Sequence, residues 1–150
     1  MKKIKFLHGF LVTLLVLNTL FFIAQIYNIT MFEGEFEYSH YVLGQGVILI
    51  SIIALFFLQR ALYSIIKNGF FNKFAHTNFK WAGLFFLLTG FGSIILNVVI
   101  IVRNSYDILE LLNSNLGQDL LLIMVGFSLF VIADVVQNGN ILKTENDLTI

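Results

Sequence analysis

The chain has no cysteine and no proline. Without thiols, disulfides, thiolate nucleophiles and zinc–thiolate centres are excluded. Without proline, no helix can be kinked by that residue. Charge is scarce: 12% of the 150 residues are Asp, Glu, Lys or Arg, against roughly a quarter in soluble domains. His8, His40 and His76 form no HExxH or HxxxH pair, so helical metal-ligand spacing is missing. Gly44-Gln45-Gly46 and Gly90-Phe91-Gly92 lack the strand–turn–helix setting and the lysine of a phosphate-binding loop. No nucleophile–base set and no cofactor motif appears. The sequence therefore reads as non-enzymatic, with no catalytic, cofactor or metal residues to assign.

Apolar residues are what the chain has in quantity. They make up 58% of it, 17 of them Phe, and mean hydropathy is +0.88. Four long apolar runs stand out, at about 6–26, 42–62, 81–102 and 119–137. A run of roughly 21 residues makes about 31 Å of helix, one bilayer core. The basic start, Lys2, Lys3 and Lys5, also fits a signal peptide. The run that follows is long for one, and no small-x-small cleavage site ends it, so an uncleaved first span is expected. The fold class read from this is all-α, a single four-helix transmembrane bundle.

Net charge is zero, but the charges are segregated. Lys2, Lys3, Lys5, Arg60, Lys67, Lys73, Lys80 and Lys143 fall on one side of the four runs, and only Arg103 falls on the other. Glu33, Glu35, Glu37, Asp107, Glu110 and Asp119 fall with Arg103. Lys and Arg near span ends set orientation and stay in the cytoplasm. The expectation is N-in, C-in, with a cytoplasmic loop over 63–80 and a cytoplasmic tail over 138–150. In that loop, Phe70, Phe71, Phe74 and Ala75 share one side of a helical wheel, as suits a membrane surface. Four basic residues beside a bilayer set topology and attract anionic lipid, which explains them more simply than direct nucleic-acid binding. Glu33, Glu35, Glu37 and His40 of the first outer turn could form a cation site, with the carboxylates as its oxygen ligands. A solvated loop on the non-basic side accounts for them equally well.

Some polar residues lie inside or beside the apolar runs. Asp134 is the candidate of most interest, since an intramembrane carboxylate is a functional-site hypothesis. It is expected near the cytoplasmic headgroups, held by Arg60, Lys80 or backbone donors of the basic loop, so that the tail locks against that loop. Asn18, Gln25, Gln45 and Asn97 are expected to hydrogen-bond between helices. Gly83, Gly90 and Asn97 recur every seven residues, with Ser93 on the same face, and should form a packing seam.

Leu142-Lys143-Thr144-Glu145-Asn146-Asp147-Leu148-Thr149-Ile150, after Gly139, resembles the ending of the bacterial membrane family known as domain of unknown function 2975. Asn68-Gly69-Phe70-Phe71 is similar to the Gly-x-Phe element of that family before its third helix. Members commonly carry Pro and acidic residues after that glycine, and this chain has neither there. The resemblance implies a bacterial inner-membrane protein with no established activity. It also implies a link to small helix-turn-helix regulators, often encoded beside members.

Two functions follow as expectations. The first is a membrane protein that binds or tethers a cytoplasmic protein partner through Lys67, Lys73 and the tail residues Glu145, Asn146 and Asp147. The second is a small transporter, channel or immunity-type protein that uses Asp134, Asn18 and Asn97, with Arg60 and Lys80 as the candidate partners of Asp134. The lipid bilayer is a partner in both.

Overall fold

The computed structural model describes residues 2–28, 35–104 and 116–148. All four apolar runs are helical: α1 (Lys2–Asn28), α2 (Glu35–Asn68), α3 (Lys73–Asn104) and α4 (Leu116–Leu148). Each is long and apolar enough to cross a membrane, as expected of a multi-pass membrane protein. In lipid every backbone polar group must be bonded within its own segment, which is why such runs become continuous helices. The embedded hydroxyls and amides obey the same constraint. Thr13, Asn18, Thr19, Thr89 and Ser128 each donate to the carbonyl four residues back in their own helix.

The helices are longer than the apolar runs. The loop expected over 63–80 shrinks to four residues, because α2 continues to Asn68 and α3 begins at Lys73. The tail expected from 138 is helical to Leu148. Lys and Arg are good helix formers whose stems lie along apolar surface, so charge does not end a helix. α2 likewise starts at Glu35 rather than near 42. Of Glu35, Glu37 and His40 only the helical backbone is described, and Glu33, Asp107 and Glu110 lie outside the described residues.

Neighbouring helices run antiparallel. His8 meets Gln59 across α1 and α2, Phe57 stacks on Phe85 across α2 and α3, and His76 meets Ala133 across α3 and α4. Among the described residues, packing follows chain order: α1 on α2, α2 on α3, α3 on α4. No α1–α4 contact closes the four into a ring, so the bundle is open, with α1 at one edge and α4 at the other. Both broad faces carry exposed apolar side chains, among them Phe21, Ile95, Met124 and Val131, each about three-fifths exposed or more. Apolar surface on this scale requires lipid.

The seams are made of small residues. Ala54, Ala61, Ala75, Ala82 and Ala133 are at most 1% exposed. On α3, His76, Gly83, Gly90 and Asn97 are seven residues apart, and opposite them on α4 stand Ala133, Gly126 and Asp119, also seven apart. A Cβ on Gly83 would lie 2.8 Å from the Gly126 carbonyl oxygen, and one on Gly126 would lie 2.9 Å from the Gly83 oxygen. The two backbones touch, as small residues allow in membrane helix pairs. Glycine at these positions serves close approach.

Polar pairs hold the ends of the outer seams. On α3–α4, His76 Nδ1 meets the Ala133 carbonyl at 2.9 Å, and Asn97 Nδ2 donates to Asp119 Oδ2 at 3.4 Å. On α1–α2, Gln59 Nε2 meets His8 Nε2 at 2.9 Å. At the other end of that seam Gln45 Nε2 donates to Gln25 Oε1, and the Tyr41 hydroxyl donates to the Gln25 carbonyl. Along α3 the two pins are about 31 Å apart, and along α1 about 26 Å, close to a bilayer core of about 30 Å. One pin of each seam lies at the end that gathers Lys2, Lys3, Lys5, Arg60, Lys67, Lys73, Lys80 and Lys143, here termed the basic end.

Candidate functional site

The basic end is built on the four-residue turn between α2 and α3. Gly69 has φ +86°, a left-handed conformation that glycine adopts without a Cβ clash. Its N–H donates to the Ile65 carbonyl at 3.0 Å and closes α2. Asn72 opens α3. Its Oδ1 accepts from the Ala75 N–H at 2.8 Å, the bond of an N-cap. The same oxygen accepts from Ser64 Oγ at 2.7 Å, and Asn72 Nδ2 donates to the Gly69 carbonyl at 2.6 Å. Both Ser64 and Asn72 are buried. One amide therefore ends one helix, starts the next and fixes their separation.

Two contacts then fasten α4 to this turn. The Phe71 ring sits on Gly139, so closely that a Cβ there would overlap it. One helical turn and a half before it, His76 reaches the Ala133 carbonyl. Beyond Gly139 the last turns of α4 run out past the turn, with 141–148 exposed throughout. Ile141, Leu142 and Leu148 are 45%, 61% and 87% exposed and share a helix face with Glu145. Glu145, Asn146 and Asp147 thus lie on a helix rather than on an extended tail.

Two clefts flank the start of α3. Between α2 and α3 a groove has two lobes of about 410 and 230 Å³, which share Arg60, Phe74 and Asn78. Lys73 lines the first lobe and Lys67 the second. Between α3 and α4 a cleft of about 360 Å³ is lined by His76, Lys80, Trp81 and Phe130. Trp81 stands between the two, with its ring stacked on Phe57 and Phe85 at 6.2 and 6.0 Å.

The structure brings some of the expected residues together and separates others. Arg60, Lys67 and Lys73 converge on one groove, and Lys80 lines the neighbouring cleft. Asp134 joins neither. It is exposed, neither Arg60 nor Lys80 pairs with it, and it lines none of these clefts. The cause is helical phase: Ala133 and Val136 take the inward positions of α4, and Asp134 is turned about 100° away from Ala133. α4 is held at the adjacent carbonyl instead. Asn18 bonds its own helix and does not meet Asn97, while Gln25, Gln45 and Asn97 do bond across helices. Gly83 and Gly90 form the seam expected of them.

Sequence reasoning missed three residues here. Asp119, expected only as one of the acids on the side of Arg103, is 4% exposed in the first turn of α4. A carboxylate there favours the positive end of the helix dipole. Its spacing of seven from Gly126 was the available signal. Asn72 as a cap and His76 as a cross-helix donor were also missed. For Asn72 the signal was an amide three residues after the turn glycine. His76 lies seven residues before Gly83, which puts it on the seam.

Compared with protein-family models, with curated proteins and with solved structures, the chain matches none.

Proposed function

We propose that this is a non-enzymatic protein of the bacterial inner membrane that tethers a cytoplasmic protein partner. Its working surface is the basic end, with both termini in the cytoplasm. The observation that carries this reading is the continuation of α4. It stays helical past the α2–α3 turn, is fastened there by Phe71 and His76, and then presents Ile141, Leu142 and Leu148 beside Glu145 and Asp147. A helix held at its base and exposed at its tip, with apolar and acidic side chains on one face, offers a partner both contact area and charge. The eight basic residues at this end support its cytoplasmic side. The resemblance to a family linked with helix-turn-helix regulators makes such a regulator the partner class to test first. The transport reading uses Asp134, Asn18 and Asn97, and among the described residues no two of the three meet.

The test is site-specific photo-crosslinking from Leu142 and Leu148 in cells, read with the distribution of the captured protein. The reading expects one soluble protein crosslinked from both positions. That protein should move from the membrane to the soluble fraction when residues 140–150 are deleted. Adducts only with lipid or with a second copy of this chain would contradict it, as would a partner that stays on the membrane after the deletion.

A further inference from the structure

We infer that the groove between α2 and α3 at the basic end is a binding site for the phosphate of an anionic phospholipid. The inference rests on the proposed cytoplasmic placement of this end, but not on the partner of α4.

Charge carries the first part of the argument. Arg60 stands where the two lobes meet, Lys73 lines one lobe and Lys67 the other. No acidic side chain is among the lining residues of either lobe. Three cations thus stand around one concavity with no carboxylate among its described lining residues, and their natural complement is an anion. A guanidinium adds geometry to charge, because its fork matches two phosphate oxygens. Neutral donors stand beside them. Tyr63 lines the lobe of Lys67, while Thr77, in the lobe of Lys73, already donates its hydroxyl to the Lys73 carbonyl at 3.0 Å. Asn78, 9% exposed, spends one N–H on the Phe74 carbonyl at 2.7 Å and keeps a second.

Depth carries the second part. The groove floor is aromatic: the Phe57 and Trp81 rings line it, stacked on each other and each on the Phe85 ring. Arg60 lies over Phe56, its guanidinium carbon 5.7 Å from the ring centre. Thr77 follows His76 directly on α3, and His76 is the pin at the border of the apolar core. Cations above a Trp at that border are where headgroup meets hydrocarbon. A soluble anion would need only the cations. A lipid also uses the floor, against which its first acyl carbons lie. The site is preformed, because the buried Ser64–Asn72 bonds fix the spacing of the two helices at its mouth.

Trp81 is the only tryptophan of the chain and lines both this groove and the neighbouring cleft, so its fluorescence reports on the two together, and the Arg60 and Lys73 variants assign the signal to the groove. The full-length protein is reconstituted in phosphatidylcholine vesicles with a minor fraction of phosphatidylglycerol. The bromine quencher is placed on the acyl chains of one lipid or of the other. The expected result is quenching by brominated phosphatidylglycerol well above its share of the membrane. Arg60→Gln and Lys73→Gln should each lower that preference about fivefold, and high salt should lower it too. Arg103→Gln, at the opposite end, should leave it unchanged. Both groove residues are exposed, and unchanged helicity by circular dichroism confirms that the variants fold. Quenching in proportion to membrane composition in the wild type would overturn the inference. So would an Arg103→Gln loss equal to that of Arg60→Gln. An emission change with glycerol phosphate alone as large as that with the lipid would show a soluble phosphate ester as the ligand and overturn the lipid assignment.

Discussion

Replacing Gly83 with alanine tests the α3–α4 seam where two glycine backbones face each other. The added Cβ would stand 2.8 Å from the Gly126 carbonyl oxygen and 3.3 Å from Leu129 Cβ and Phe130 Cδ2. The first distance is about 0.6 Å short of the 3.4 Å at which ordinary contact begins, and its partner is backbone, which has no rotamer to change. The helices must separate, and overpacking of this kind costs about 1–3 kcal/mol. Alanine in place of glycine also favours the helix by about 1 kcal/mol. The net expectation is a loss of about 0–2 kcal/mol for Gly83→Ala. Gly83→Leu, which adds volume with no further helix gain, should lose more. Gly44 has open space around its Cβ position, so Gly44→Ala takes the helix gain without the clash and should be neutral or stabilising. The assay is unfolding in mixed micelles of mild detergent and dodecyl sulfate, followed by far-ultraviolet circular dichroism. Gly83→Ala equal to or more stable than Gly44→Ala would refute the close approach. Gly83→Ala and Gly126→Ala should not add, because each relieves the contact that the other strains.

Two further predictions use the same assay. Asn72→Ala removes the cap of α3 and leaves buried Ser64 without its acceptor, so it should cost about 1–2 kcal/mol or more; a neutral result would mean that the turn is held otherwise. His76→Ala should cost about 1 kcal/mol through the lost bond to Ala133, whereas Asp134→Ala should change stability by less than about 0.5 kcal/mol. The reverse order would restore the carboxylate lock.

The four helices and the glycine seam were legible in the sequence for physical reasons. Lipid imposes long apolar runs, and close packing without a hydrophobic drive selects small residues at a fixed period. The helix ends were not legible. A tail is expected from 138, yet α4 passes straight through Asn138-Gly139-Asn140, where Gly139 makes room for Phe71. That contact lies between residues far apart in the chain, and no local pattern announces it. Asp134 was judged by depth alone. Phase decides whether a side chain meets a neighbour, and phase turns Asp134 outward. The same consideration of phase, applied to the heptad of Gly126, would have placed Asp119 in the seam.

The absence of cysteine makes the central claim directly measurable. Single cysteines at Thr144 and Gln118, both exposed and at opposite ends of α4, can be labelled with a membrane-impermeant maleimide. With the basic end in the cytoplasm, Thr144→Cys should be protected in intact spheroplasts and react in inverted vesicles, and Gln118→Cys should do the reverse. Labelling of Thr144→Cys from outside intact cells would put the basic end on the wrong side of the membrane and contradict the account.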